Sequence, residues 1–288
     1  MSNSPRLRLD RALVARGLAD SRPRAEALIG QGLVLVSGSV ALKPGRMVAA
    51  AEPIELLGAG PRFVSRGGEK LEAALMRFGV DVAGRRALDA GASTGGFTDC
   101  LLQAGADTVF AVDVGRGQLH ARLRDDARVV SHERTDIREV SLATVGGIPV
   151  EVVTADLSFI SVSRAIPVLV GPVAASGAAL VVLVKPQFEA GRAEASKGRG
   201  IIRDPEVHRR VLGQVAGTLA AAGADIMGAM PSPITGAAGN IEFLLHARTP
   251  VTPVAARTDH EGPPVAPGDL PSLVEQVVAE AHDQKASG

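Results

Sequence analysis

The chain of 288 residues has a single cysteine, no tryptophan, no tyrosine and only seven phenylalanines. One thiol, Cys100, excludes an internal disulfide and a cysteine-based zinc cluster, and it fits a reducing cytoplasm. Cys100 falls in a helical segment and is expected in the core. So few aromatic rings argue against a base-stacking platform. No apolar run approaches the ~20 residues needed to span a bilayer, so no membrane role is expected. The N-terminus, MSNSPRLRLD, has no apolar stretch behind its charges, so no signal peptide is expected either. His120, His132, His208 and His246 are scattered without ligand spacing, and no metal site is expected.

What is present is 46% apolar, the composition of a globular protein long enough for one large or two unequal domains. The formal net charge is zero but unevenly spread. Residues 1–70 hold 11 Lys and Arg against 6 Asp and Glu, residues 71–248 hold 18 against 19, and residues 249–288 hold 2 against 6. A basic head on a neutral body points to a polyanion contact at the N-terminus.

The centre of the chain is RALDAGASTGGFT, Arg86 to Thr98. A short apolar run leads into small residues and then a helical segment, the opening unit of a nucleotide-binding α/β domain. The spacing is not GxGxxG. One acid, Asp89, precedes the turn, and a second, Asp113, ends the next apolar run. An acid at the end of the second strand suits a ribose diol better than a phosphate, and together with the absence of GxGxxG spacing it favours S-adenosylmethionine over NAD.

The head, residues 6–60, reads as two helices followed by a small β-hairpin. Leu7, Leu9, Leu13, Val14 and Leu18 are expected on one helix, and Ser21 caps a second with Pro23 in its first turn. Arg6, Arg8, Arg11, Arg22, Arg24 and Lys43 would hold the phosphates of a folded RNA, and Arg66 beyond the head is added to that set. The sequence LDRALVARGLADSRPRAEALIGQGLVLVSG resembles the S4-type RNA-binding domain, with Ser21, Arg22, Ala25, Leu28, Ile29, Gly32, Val34, Val36 and Gly38 at the corresponding places.

Residues 61–67 form a linker in which Arg62, Phe63 and Val64 are apt to pack between domains. Ser65 is expected to cap the next helix, which carries Lys70 in its first turn. A lysine there opposes the helix dipole, so a carboxylate or a phosphate is expected near it. Residues 68–248 alternate strands and helices, giving seven strands with the last two an antiparallel pair. The resulting fold class is α/β, a Rossmann-like methyltransferase sheet with a small α+β domain in front. A strand is expected over 178–186, and helices over 161–170 and from Pro205 to about Ala222, the latter capped by Asp204. In open α/β sheets ligands bind beyond the carboxyl ends of the strands, and Asp89, Asp113, Asp156 and Lys185 all fall at or near such ends; Asp89 is expected to contact the cofactor directly. A desolvated Lys185 could take a proton from a hydroxyl as a methyl group is transferred to it, or it could steady the developing alkoxide; the residues leave both open. Asp156 would orient it, and Glu242 could join them with Lys70. Residues 249–288 read as a Pro-rich, largely disordered tail with one short helix, SLVEQVVAEAHD.

The body resembles the FtsJ-type ribose 2′-O-methyltransferases, and the whole chain from about residue 6 to 248 resembles the TlyA family of ribosomal RNA cytidine 2′-O-methyltransferases. The residues that carry this are VSRGGEKL, LDAGASTGGFTDCLL, AVDVGRGQL, ADLSFIS, VKPQFE and GNIEF. The resemblance implies a catalytic set of Lys70, Asp156, Lys185 and Glu242. It implies S-adenosylmethionine contacts at Gly91, Ala92, Ser93, Thr94, Gly95, Asp113 and Asp136, and ribosomal subunits as partners. Where the family often has a tryptophan between its domains, this chain has Phe63. Members of the family have been labelled haemolysins, but no basic amphipathic helix or apolar span supports pore formation. A non-enzymatic RNA-binding protein is disfavoured by the intact Lys-Asp-Lys-Glu set.

Overall fold

The computed structural model describes residues 6–19, 21–57, 62–191, 194, 198, 200–236, 239–251 and 263–287. The chain divides into two compact units, Met1–Ser65 and Arg66–Gly288.

The N-terminal unit runs β1 (Arg6–Arg8), α1 (Leu9–Ala15), α2 (Arg22–Gly30), β2 (Val34–Val36), β3 (Ser39–Val40), β4 (Met47–Ala49) and β5 (Ile54–Leu56). Strand β1 pairs antiparallel with β4, and β2 lies between β3 and β5. Leu9, Leu13, Ile29, Val34 and Val36 have no exposed surface and form its core. Ser21 caps α2 by accepting from the Arg24 N–H. Leu7 differs from expectation. It belongs to β1, paired with Val48, and is 45% exposed, because the chain uses its main-chain groups there in a ladder before it turns into α1.

The second unit is a seven-stranded sheet built from β6 (Arg86–Ala90), β7 (Thr108–Val112), β8 (Val129–His132), β9 (Val150–Ala155), β10 (Ala174–Val184), β11 (Asp225–Pro231) and β12 (Phe243–Arg248). Their order is β11-β12-β10-β9-β6-β7-β8. Only β12 runs against its neighbours. The central strands β6, β9 and β10 are buried over most of their length, as a parallel sheet covered on both faces requires. The helices are α3 (Gly67–Phe78), α4 (Gly96–Gln103), α5 (Ala121–Arg124), α6 (Ile166–Leu169), α7 (Pro186–Glu189), α8 (Pro205–Ala221) and α9 (Leu270–Ser287). Asp204 caps α8 through the Glu206 N–H, and Cys100 is buried on α4.

Three local expectations need revision. Helix α3 starts at Gly67 with Arg66 as its cap residue, so Ser65 does not cap it. The segment expected as one helix over 161–170 is a 3₁₀ turn followed by α6, with Pro167 at the start of α6, where no N–H is needed. The tail ends in α9, whose Val274, Val277, Val278 and Ala281 are buried in the core of this unit. Residues 252–262, most of the Pro-rich stretch, lie outside the described residues.

Candidate active site

The carboxyl ends of β6, β7 and β9 open onto a cleft of about 490 Å³, whose lining includes Gly91, Ser93, Asp113, Gln118, Asp136, Asp156, Ser158 and Phe159. That volume suits a ligand of nucleoside size. The floor is main chain. Gly91 has φ +84°, and a β-carbon on it would stand 2.6 Å from the Asp156 carbonyl oxygen. Any side chain at this position would therefore push β6 away from the loop after β9. The N–H groups of Gly91 and Ala92 both donate to the Val112 carbonyl, at 2.8 and 3.1 Å, which locks the turn to the end of β7. Asp113 completes that lock, accepting from the Ser93 N–H at 2.8 Å and the Gly115 N–H at 2.6 Å.

Four of the residues expected to hold the cofactor, Gly91, Ser93, Asp113 and Asp136, line this cleft. Asp136 is held by Arg138, whose hydrogen bonds keep the carboxyl down at about 2. Ala92 lies in a smaller recess beside the cleft. Thr94 and Gly95 belong to the turn into α4 and do not line it. Asp89 does not reach it either, which corrects the expectation of a direct contact. Its carboxylate has no exposed surface and accepts from Thr98 Oγ1 at 2.6 Å and Thr154 Oγ1 at 3.3 Å. Burial pushes the Asp89 carboxyl up to about 7 against the pull of the Thr98 hydrogen bond. Asp89 thus braces the turn from below.

At the carboxyl end of β10, Lys185 Nζ lies 2.5 Å from Asp156 Oδ1 and donates to Ser158 Oγ at 2.9 Å. Register puts Glu242 beside it, because Val184 pairs with Phe243. Glu242 is 2% exposed, and its Oε2 accepts from Lys70 Nζ at 2.5 Å. Gln187 Nε2 donates to the other carboxylate oxygen at 3.4 Å. Gly236 allows the loop after β11 to close over Glu242, since a methyl group there would collide with Oε1. Two ion pairs, the partly buried Lys185–Asp156 and the buried Lys70–Glu242, thus stand at one sheet edge. The four residues expected as a catalytic set come together in this way.

The composition argument missed one feature. Phe159 projects into the cleft mouth, 89% exposed and at φ +70°, a conformation that a bulky residue adopts at a cost of roughly 1–3 kcal/mol. Its ring centroid lies 5.9 Å from that of Phe188, and Lys185 Nζ lies 5.8 Å from the Phe188 centroid. Glu189 ties the two loops together, accepting from Ser161 Oγ at 2.5 Å and the Val162 N–H at 2.7 Å. The motifs ADLSFIS and VKPQFE contain all these residues but Val162, which follows the first, and nothing in their local pattern shows that the two segments touch.

Of the residues expected to bind RNA, Arg6, Arg11, Arg24 and Lys43 are exposed on the N-terminal unit, and Arg66 is exposed at the start of α3. Arg8 and Arg22 are partly engaged by Asp10, at 2.9 and 2.8 Å.

The family model of FtsJ-like methyltransferases matches residues 63–249, and that of the S4 domain matches residues 7–54. A Mycobacterium tuberculosis protein named 16S/23S rRNA (cytidine-2′-O)-methyltransferase TlyA is 46% identical over 245 residues, 85% of this chain and 90% of that one. Hemolysin A of Brachyspira hyodysenteriae is 39% identical over 83% of this chain and 99% of its own. The solved structure of a hemolysin-named protein from Streptococcus thermophilus superposes with a TM-score of 0.73 at 37% identity, covering 98% of both chains.

Proposed function

The chain belongs to the FtsJ-like methyltransferases of TlyA type, and on that premise we propose that it methylates the 2′-hydroxyl of a cytidine ribose in ribosomal RNA, using S-adenosylmethionine. The observation that carries this reading is the Lys185–Asp156 ion pair, whose carboxylate lines a nucleoside-sized cleft, with the buried Lys70–Glu242 pair beside it in strand register.

S-adenosylmethionine, when bound, supplies a methyl group on a sulfonium centre, which needs no metal to leave. Gly91 and Ser93 would border it with main chain. Asp113 stands where a carboxylate meets a ribose diol, and Asp136 and Ile137 line the adjoining part of the cleft. Asp89 below the turn is a support for Ser93 and Gly91 and not a ligand.

Lys185 does the work at the acceptor oxygen. Its ammonium has three N–H donors; Ser158 takes one and Asp156 stands 2.5 Å away as the counter-charge, so a donor remains for the ribose hydroxyl. Lys185 therefore steadies the negative charge that builds on O2′ while its proton leaves to solvent. Lys70 and Glu242 form the second wall of the acceptor side, with Gln187 fixing the carboxylate. The exposed Phe159 ring offers a face for a base lifted out of its helix. The S4 domain brings the RNA through backbone contacts of its arginines. A cytoplasmic enzyme acting on ribosomal subunits fits these parts, and no helix among the described residues is long and apolar enough to cross a membrane.

The test is transfer of labelled methyl from S-adenosylmethionine to ribosomal subunits taken from cells without the enzyme, followed by mapping of the 2′-O-methyl position. Label on a cytidine ribose is the expected result. No incorporation into either subunit would refute the activity, and label on a base would refute the chemistry at Lys185.

A further inference from the structure

Asp10 opens α1 as a carboxylate with no exposed surface. Its Oδ1 accepts from Arg8 Nε at 3.1 Å and from the Arg11 N–H at 2.9 Å. Its Oδ2 accepts from Arg8 Nη2 at 2.9 Å and from Arg22 Nε at 2.8 Å. A single buried anion thus anchors guanidinium groups from two separate elements, β1 and α2. The hydrogen bonds from Arg8 and Arg22 hold the Asp10 carboxyl well below the usual range, so it stays charged at any working pH.

The geometry of these bonds leaves the outer edges of both arginines in place for something else. A guanidinium has five N–H donors. Arg8 uses Nε and one N–H of Nη2 on Asp10, and Arg22 uses Nε, which also lies 3.4 Å from Glu26. Both side chains remain about half exposed, 41% and 49%. The turn that carries Lys43 packs against the same place. The Asp10 N–H donates to the Pro44 carbonyl at 3.1 Å, and a β-carbon on Gly45 would meet Arg8 Nη1 at 3.5 Å. Arg8 and Arg22, with Lys43 on the adjoining turn, outnumber Asp10 and Glu26 here, and both guanidinium groups are held in place by Asp10.

We propose that Asp10 is a positioning residue for RNA recognition, which holds Arg8 and Arg22 as the two arms of one clamp for a backbone phosphate. This rests on the reading of the N-terminal unit as RNA-binding. A phosphate is the partner that fits, because it accepts from guanidinium edges two at a time. The clamp reads no sequence; it fixes where the RNA backbone lies. Fixing both arms in the free protein removes an ordering cost that would otherwise fall on binding.

The sign of one substitution tests this. Asp10→Asn deletes a negative charge from a basic surface. By charge alone it would tighten RNA binding and steepen its salt dependence. The clamp requires the reverse. With undermethylated ribosomal subunits as substrate, the full-length variant is expected to raise the KM for RNA about tenfold, with kcat and donor affinity within twofold of the parent. Its log–log salt slope should shrink by about one. An Asp10→Asn protein that binds subunits as tightly as the parent, or more tightly, overturns the proposal.

Because Asp10 is buried, Arg8→Lys and Arg22→Lys serve as the arm of the test that leaves the core carboxylate in place. Each keeps the charge but loses the planar guanidinium that bonds Asp10 and phosphate at once, so several-fold weaker binding is expected, whereas unchanged affinity overturns the clamp. In an Arg8→Ala/Arg22→Ala background Asp10→Asn should add little; a full additive loss would show that Asp10 does not act through these two arginines. Arg11→Ala and Arg24→Ala separate the two claims. If they and Arg22→Ala all leave RNA affinity unchanged, the RNA-binding reading of this unit fails. If they weaken binding while Asp10→Asn does not, only the clamp fails.

Discussion

Asp10 in the N-terminal unit and Asp89 in the catalytic unit are both fully shielded from solvent, yet their surroundings drive their protons in opposite directions. Asp10 meets two guanidinium groups and a main-chain N–H, and its carboxyl is held low. Asp89 meets two threonine hydroxyls, and burial pushes its carboxyl up to about 7. A hydroxyl donates one hydrogen bond but brings no charge, so it does not offset the desolvation of a carboxylate. The two units therefore use buried acids differently. In the first, a buried anion steers exposed cations toward a partner. In the second, Asp89 braces a turn, and the cations proposed for the chemistry, Lys70 and Lys185, are themselves buried beside Glu242 and Asp156.

The largest effect is expected where the buried cation does chemistry. Lys185→Ala should lower kcat by about 10²–10³-fold, the usual loss for one donor to a developing oxyanion, with S-adenosylmethionine affinity by calorimetry unchanged. Lys185→Arg keeps the charge and should retain more of the rate than alanine does. A loss under tenfold for alanine would remove Lys185 from the reacting oxygen.

The contrast between the two acids predicts opposite acid responses. The folded-state value of Asp89, about 7, lies above the ~3.9 of an unfolded aspartate. The folded protein thus binds the extra proton between those values, and stability falls as pH rises from about 4 to about 7. Asp89→Asn should flatten that slope, worth up to about 4 kcal/mol across the window at 1.36 kcal/mol per unit. Asp10 has the reverse sign: its contribution is present above about pH 4 and fades as pH falls. Urea midpoints measured against pH for the parent and Asp89→Asn decide the matter, and parallel curves would mean that Asp89 is not held in its proton-rich form.

Much of the catalytic unit was legible in the sequence because its working residues sit at the ends of local patterns. Asp113, Asp156 and Lys185 each close an apolar run, so strand periodicity alone places them at one sheet edge. Asp89 misled the same argument. It lies inside β6, between Leu88 and Ala90, and its partner Thr154 is 65 residues away on the neighbouring strand. The Lys70–Glu242 pair spans 172 residues; only the helix-dipole oddity of Lys70 and the family resemblance pointed to it. Phe159 escaped because a count of aromatics says how many rings exist, not where two of them meet. Helix α9 was read as short because its docking on the body depends on Val274, Val277 and Val278 finding a surface that no local signal describes.

Glu242 sharpens the contrast from the side of stability. Glu242→Ala leaves Lys70 buried without its carboxylate, and breaking such a pair costs about 3–5 kcal/mol. Replacing both, Lys70→Met with Glu242→Leu, should recover most of that loss in urea unfolding while activity stays absent. Equal destabilisation by the single and the double variant would show that packing under Gly236, not the pair, is what the site depends on.

The smallest effect separates two kinds of arginine within the N-terminal unit. Arg16 was not among the residues expected to touch RNA, and the structure gives it an inward task. Its Nη1 donates to the Glu52 carbonyl at 2.7 Å, and its Nη2 donates to the carbonyls of Ala50 and Ala49 at 2.8 and 3.0 Å. It therefore ties the end of α1 to the turn between β4 and β5. Because the side chain is exposed, Arg16→Ala should lower stability by no more than about 1 kcal/mol and leave subunit binding within twofold. Arg24→Ala should do the opposite, leaving stability within about 0.5 kcal/mol while reducing the salt slope of RNA binding by about one. If Arg16→Ala weakened RNA binding more than Arg24→Ala, inward-bonded and outward-facing arginines would not be distinct classes here, and charge at this surface would matter more than the geometry that holds it.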